Sequence, residues 1–470
     1  MSTIISNPVE SSVAGENAYQ QAGRKRLLLV SYHFPPVGGA GVQRPVKFVK
    51  YLRRFGWDVS VLMAANPSVP VFDNSLLVDI PEETHLEKAR TWEPNYTLKK
   101  NMGNQNHTGQ SSSSLLAPIK SSCRKLVKAG AGLILQPDAQ ILWYPNALKA
   151  GKKLLNNLQH DAILATAPPY SNLILASKLK QKFHLPLIAD FRDEWDLSSK
   201  YLENHQQDAI SNLIQTRLQR SVMRHSDAIV ATTQASTQRL LDRAHQFGTD
   251  VTGRCIYNGF DRDDFEFLDE AGQQSQKHNC QKRFRIVYTG TLWNLTTVEP
   301  LVKAIESLHQ ESPNLLSRLE LQFIGRKTPE QLALLERINQ TKSTLITEDY
   351  CSHHEALKKM AAADALCLLL SDVEGADRVA PAKLFEYLAI NREILSITPT
   401  GETANILKDF WPTGNFQAHD TAGMVNWLKG RLLGNSSTGI INSENINQFN
   451  REHQAGQLAD LLNQLVMNHV

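Results

Sequence analysis

The sequence predicts an α/β chain built from two doubly wound parallel-sheet domains, and three observations carry that expectation. A chain of 470 residues exceeds what one hydrophobic core organises. Short apolar, strand-like runs alternate with stretches whose apolar residues recur at helical spacing, the pattern of parallel strands covered on both faces. The alternation halts once, at a polar stretch without periodicity, and then restarts.

In chain order, residues 1–24 are polar and read as a disordered tail. The first domain, 25–258, begins with the strand RLLLVSY from Arg26, a helix through Val42, Val46 and Val49, and the strand DVSVLMA. Further strands are DAILATA from Asp161, LPLIADF from Leu185, DAIVATT from Asp227 and RCIYN near Arg254. Residues 101–122 interrupt it with low-complexity polar sequence, expected to be a flexible insertion. Residues 259–283 form the linker. The second domain, 284–438, runs FRIVYTG, a helix from Thr296, LELQFIG, a helix from Pro329, STLIT, a helix from Ser352, DALCLLL, a helix from Pro381, and EILSIT. Residues 439–470 end in a helix with Leu458, Leu461, Leu462 and Leu465 on one face, which needs an apolar partner.

Composition removes several function classes. Apolar residues at 41% and charged residues at 21% describe an ordinary globular chain, and a net charge of +3 gives no electrostatic footprint for nucleic acid. The five cysteines, at 123, 255, 280, 351 and 367, show no CxxC spacing, which argues against a zinc site or disulfide framework and for a reducing compartment. The N-terminus lacks the apolar core of a signal peptide, and no run reaches the ~18 apolar residues of a membrane span. A cytoplasmic location is expected, with room for peripheral contact at the inner face of a membrane.

Three motifs sit where chemistry is expected, at the carboxyl ends of parallel strands. The turn Gly38–Gly39–Ala40–Gly41 precedes a helix carrying Arg44, Lys47 and Lys50. Without Cβ atoms the backbone can approach a ligand, and the helix N-terminus favours an anion; a plain tight turn before a solvated basic face fits equally. GGAG is not GxGxxG, and no acidic residue closes the second strand, so a dinucleotide fingerprint is absent. In VAPAKLFEYLAINREIL from Val379, Pro381 can open a helix, Lys383 falls in its first turn and Glu386 about one turn on. That arrangement suits phosphate and vicinal hydroxyls, or is a surface Lys–Glu pair. In IADFRDEW from Ile188, Asp190, Arg192, Asp193 and Glu194 cluster at a strand end, as a site or as an ion-pair network bracing the next loop.

Together, YHFPPVGGAGVQRPVKFVKYL, ATAPPYSNL, IADFRDEW, IYNGFD, YTGTLW and PAKLFEYLAINREIL occur in an order that resembles the family-4 retaining glycosyltransferases, over roughly residues 26–468. The resemblance is greatest to the branch acting in cell-envelope or exopolysaccharide assembly. It implies the GT-B fold: two Rossmann-like domains facing a cleft, with the C-terminal helix crossing back to the N-terminal acceptor domain. The second domain would hold a nucleotide-diphosphate sugar, and the acceptor would be a glycan or lipid-linked hydroxyl.

By position, the resemblance places Gly38 and Gly39 against the donor diphosphate and sugar. Gly290 and Thr291 would lie beside the donor, Glu386 on the ribose, and Lys383 with the Leu384 backbone on phosphate. Arg326 and Tyr350 would serve the phosphate and base ends. Apart from the resemblance, Asp193, a carboxylate at a strand end beside Arg192, is the candidate for orienting or deprotonating the acceptor, unless the two only brace the following loop. Two departures stand out. Relatives carry an Arg and a Lys after the YTGT-like strand, where this chain has TLWNLTTVEP, so Lys383 or Arg326 must compensate. Relatives also pair two glutamates, but Arg378 stands near the first position, leaving Glu374 as its candidate substitute. Asn391 replaces a glycine after the helix and tolerates the left-handed conformation. With no DxD-like motif at a strand end, neither a cofactor nor a catalytic metal is expected. The rival readings are a sugar-nucleotide epimerase on the same fold and a degenerate, non-catalytic scaffold.

Overall fold

The computed structural model describes residues 23–94, 96, 135–197, 208–266, 283–435 and 443–469. The expected insertion at 101–122, and the expected tail up to residue 22, lie outside the described residues, as do 267–282 of the linker. The chain divides into two compact units. The first comprises Met1–Thr232, Ser236–Ile256 and Ala455–Val470; the second comprises Thr233–Ala235 and Tyr257–Gln454.

The first unit is built on seven strands: β1 Lys25–Val30, β2 Trp57–Ala64, β3 His85–Ala89, β4 Ala162–Ala167, β5 Leu187–Phe191, β6 Ala228–Ala231 and β7 Thr252–Cys255. They are parallel throughout, in the order β3-β2-β1-β4-β5-β6-β7. Every residue of β4, β5 and β6 is buried, which is why these strands read as continuous apolar runs. The edge strand β3, HLEKA, buries only Ala89 and carried no apolar signal in the sequence. Helices α1 Ala40–Leu52, α2 Tyr144–Asn157, α3 Ser171–Phe183, α4 Ala209–His225 and α5 Gln234–Gln246 alternate with the strands. Ala455, Leu458, Ala459, Leu461 and Leu462 of the C-terminal helix Arg451–Met467 are buried with Leu27, Leu29, Val46 and Val59 in this unit's core. Burying one such leucine is worth about 1.5–3 kcal/mol.

The second unit holds six strands: β8 Phe284–Thr289, β9 Leu319–Ile324, β10 Thr344–Glu348, β11 Ala365–Leu369, β12 Glu393–Ile397 and the short β13 Asn415–Phe416. Their order is β10-β9-β8-β11-β12-β13, again parallel. Around them lie α6 Glu299–Glu311, α7 Pro329–Ile338, α8 His353–Ala361, α9 Ala382–Ile390, α10 Glu402–Phe410 and α11 Thr421–Leu432. Helix α6 starts three residues later than the sequence pattern suggests, after a 3-10 turn at Asn294–Thr296. Pro300 explains the difference, because its missing N–H costs nothing in a first turn. Helix α9 ends at Asn391 in the left-handed region, φ 56°. The expected linker is core at its start: Phe260 is buried with Phe385 and Phe449.

Each sheet reverses its winding beside its first strand, between β1 and β4 and between β8 and β11. Loops leaving the carboxyl ends on either side of such a switch point part company and open a crevice. Among the described residues no helix is long and apolar enough to cross a membrane.

Candidate functional site

In the second unit the crevice lies between the loop after β8 and the start of α9. Strand β8 is followed at once by Gly290, whose φ of +120° suits a residue without a side chain. A Cβ there would stand 2.6 Å from the Lys383 Nζ. Gly325, at the end of β9 with φ +118°, would press a Cβ to 2.4 Å from the Gly290 carbonyl oxygen. Two adjacent strand ends are thus bare backbone, and a lysine reaches across them.

Lys383 lies in the first turn of α9, where the first N–H groups have no intrahelical acceptor. Its ammonium sits over the Tyr288 ring, 4.0 Å from the centroid, and has no carboxylate partner among the described residues. Burial lowers its pKa, and the nearby Tyr387, Cys367 and Glu386 oppose that shift. Tyr288 donates to the Thr291 carbonyl at 2.9 Å, and Tyr387 donates to the Cys367 carbonyl at 3.2 Å while accepting from the Thr289 N–H at 3.3 Å. Burial pushes the Tyr387 hydroxyl up to about 12, so it stays protonated and bracing. The Leu384 N–H donates to the Pro381 carbonyl at 3.0 Å, so the expected Leu384 backbone donor is already engaged by its own turn.

One turn on, Glu386 meets a residue the sequence did not single out. His353 Nε2 lies 2.8 Å from the Glu386 Oε1, and its Nδ1 lies 3.9 Å from Asp264. His353 opens α8, whose N-terminus is fixed by a capping box between Ser352 and Glu355. The S-x-x-E spacing was visible in the sequence, but nothing in it pointed His353 at Glu386.

The remaining second-unit candidates are dispersed. Arg326 is exposed, whereas the next residue, Lys327, turns inward and donates to the Gly325 carbonyl at 2.6 Å and to the Glu348 carbonyl. Lys327 therefore holds the ends of β9 and β10 together, and burial lowers its pKa. Tyr350, after β10, is 39% exposed. Thr291 is exposed and carries the Tyr288 bond on its carbonyl. Glu374 is exposed in the loop after β11 and lines a cavity of about 430 Å³ with Asp372, Asp377, Arg378, Thr400 and Gln417. The walls of that cavity include neither Lys383 nor Glu386.

In the first unit the glycine turn after β1, the PPYS segment after β4 and the FRDEW loop after β5 come together at the carboxyl ends of the strands. Gly39, φ +102°, caps α1 with no side-chain bond. A Cβ on Gly41 would lie 3.2 Å from an Arg192 Nη1. Arg192 Nε donates to the Ala167 carbonyl at 3.3 Å and Nη2 to the Pro168 carbonyl, while the buried Nη1 has no partner among the described residues. Gly38 donates to the Val71 carbonyl at 3.1 Å.

The cations of α1 are neither a solvated face nor free for a ligand. Arg44 and Asp190, each 1% exposed, pair at 2.8 Å, and Arg44 also donates to the Ile256 carbonyl at 2.9 Å. Lys47 and Lys50 both pair with Asp79, at 2.7 and 2.9 Å. The charges of the IADFRDEW motif likewise divide. Asp190 is bound to Arg44 and to the Thr166 hydroxyl at 2.8 Å, and Glu194 accepts from Ser236 at 2.8 Å. Of the motif's three carboxylates, Asp193 is the exposed one. Its side chain is crowded although solvent touches it, and this desolvation raises its pKa, opposed by Arg192 and reinforced by Glu194. Its backbone is fixed by the Tyr170 hydroxyl at 2.9 Å, with Tyr170 stacked on Trp195 at 4.4 Å between ring centroids.

No protein-family model matches the chain, and no curated protein matches it. Solved structures do. HepE from Anabaena, in complex with UDP, is similar with a TM-score of 0.54 at 13% identity, over 94% of this chain and 100% of its own. An alpha,alpha-trehalose-phosphate synthase (UDP-forming) from Burkholderia vietnamiensis gives 0.54 at 13% identity, over 94% and 97% of the two chains. The N-terminal domain of a Candida albicans trehalose-6-phosphate phosphatase gives 0.57 at 13%, over 100% and 99%. At these identities the likeness is one of fold, and the fold is GT-B: two parallel-sheet α/β units of seven and six strands.

Proposed function

We propose that the protein is a glycosyltransferase that moves a sugar from a nucleotide-diphosphate sugar to an acceptor hydroxyl, with retention, in polysaccharide or glycoconjugate synthesis. The observation that carries this reading is the Lys383 ammonium, lying across the bare Gly290 strand end with no carboxylate partner among the described residues. A cation kept open at a helix N-terminus over flat backbone suits a diphosphate. Glu386, one turn on, suits the ribose hydroxyls.

In this mechanism the bond between the anomeric carbon and the leaving phosphate breaks as the acceptor oxygen attacks the same face. Negative charge grows on the phosphate, and the Lys383 ammonium with the Ala382 and Lys383 N–H groups at the start of α9 neutralises it. The acceptor proton passes to the departing phosphate, with Asp193 orienting the hydroxyl. No step calls on a metal ion.

Lys383→Ala tests the reading. It should lower turnover by roughly 100-fold or more while weakening nucleotide binding less, since charge peaks during cleavage. Wild-type transfer by the variant would remove Lys383 from the reaction. The scaffold reading is favoured by one observation, the TLWNLTTVEP loop that brings no cation to Gly290. Calorimetric titration with UDP-, GDP- and ADP-sugars separates the two, because a scaffold binds none.

A further inference from the structure

Away from both crevices, the first unit carries an open cavity of about 480 Å³ between its edge strand β3 and helix α2. Lys88, Arg90, Lys149 and Lys153 line it, and among the described residues no acidic one does. All four are exposed, and none has a carboxylate partner among the described residues. One lysine on an edge strand is an ordinary guard against strand pairing. Four unneutralised cations around one concavity exceed that need.

The cavity is held in place from beneath. Asn146 of α2 donates its side-chain amide to the Arg90 carbonyl at 2.9 Å, and the Trp143 indole donates to the Ala89 carbonyl at 3.0 Å. Lys149 and Lys153 stand one helical turn apart, so both point along the same face of α2. Two residues beyond Arg90, Trp92 is 64% exposed, and its backbone N–H donates to the Leu142 carbonyl at 3.4 Å, just before α2 begins. A large indole left in water beside a basic concavity is costly unless something covers it.

We propose that this β3–α2 seam docks on an anionic lipid bilayer, with phosphate headgroups entering the basic cavity and Trp92 seated at the headgroup level. Indoles favour that interface, and clustered lysines and arginines are drawn to the negative surface potential. The exposed indole is what favours a bilayer over a dissolved anion, which would meet the cations without using Trp92.

Flotation of the full chain with lipid vesicles tests this. The chain should bind vesicles containing phosphatidylglycerol and not vesicles of phosphatidylcholine alone. Binding should fade between about 0.1 M and about 1 M salt, as the screening length falls from about 10 Å to about 3 Å. The pair Lys149→Glu and Lys153→Glu should weaken binding by at least about 100-fold. Trp92→Ala should weaken it more modestly and should remove a fluorescence signal quenched by brominated lipid. Retained circular dichroism and melting temperature show that these surface variants fold, and a variant that does not is replaced by Lys149→Gln and Lys153→Gln. Equal binding to neutral vesicles would overturn the proposal, as would undiminished binding by the charge-reversed chain. Tight binding of inositol hexakisphosphate without any vesicle binding would overturn it too and assign the cavity to a soluble anion.

Discussion

At the carboxyl ends of the first sheet, each cation of α1 is bonded to a carboxylate, Arg44 to Asp190 and both Lys47 and Lys50 to Asp79. At the same ends of the second sheet, Lys383 touches an aromatic face and bare backbone. Similar strand-to-helix junctions thus use basic residues in opposite ways. Internal neutralisation orders a loop and consumes the charge; an open cation leaves the charge for whatever binds. Clustered basic residues after a glycine turn are therefore no guide to a ligand until their partners are known.

The largest effect follows from the buried pair. Arg44→Ala strands the Asp190 carboxylate, 1% exposed, and should cost about 3–5 kcal/mol of folding stability, read by denaturant unfolding. If stability holds and nucleotide affinity collapses instead, the charge of α1 belongs to the ligand and the contrast between the two sheets fails.

That pair also marks where the sequence stopped being legible. Arg44 and Asp190 are 146 positions apart, and nothing local in either motif announces the other. The fold was readable because burial on both faces makes parallel strands continuously apolar, as in AILATA and LIADF. The edge strand HLEKA escaped because it has one buried residue. Backbone-demanding positions were readable, as at Gly290 and Asn391, whose φ values are positive, whereas roles set by tertiary approach were not. Lys327 rather than Arg326 turns inward, and Leu384 gives its N–H to Pro381, for reasons that only the folded loops supply.

Asp193 sharpens the comparison next, since it is the carboxylate of its motif that water reaches. Asp193→Asn should reduce transfer by roughly 100-fold with nucleotide affinity retained. Because its folded pKa is raised, chiefly by desolvation, the acid limb of kcat/KM should lie above the usual carboxylate range. The sign for stability is opposite to that of a brace. A carboxyl with a raised folded pKa favours the fold when protonated, and that contribution is lost as pH rises through the folded value. The asparagine variant should therefore be no less stable than the parent at neutral pH. A drop in melting temperature there, with transfer intact, would make Asp193 a strut.

Glu386 should matter less than Lys383, because it acts on binding and not on the charge of the reaction. Glu386→Gln keeps the shape and loses the charge-assisted bonds, which should cost about 1.5–3 kcal/mol of nucleotide affinity by calorimetry. Unchanged affinity would leave α9 with a structural role and would end the case for a ribose contact there.

The smallest effect tests whether the second sheet is as open as it looks. His353 occupies one oxygen of Glu386 at 2.8 Å and stands 3.9 Å from Asp264, with both side chains of the His353–Glu386 pair about one-fifth exposed, at 18% and 20%. Two results are physically distinct. If His353 fixes the carboxylate rotamer so that the second oxygen faces the ribose, His353→Ala releases that side chain and should weaken nucleotide binding by about 0.5–1.5 kcal/mol. His353→Gln, which can still donate to Glu386, should recover part of the loss. If His353 instead competes with the ribose for the carboxylate, removing it should tighten binding. The geometry favours the first outcome, because a carboxylate has lone pairs enough for the histidine and a diol together. Tighter binding by the alanine variant would place Glu386 with Arg44 and Lys47, among the charges that the fold keeps for itself.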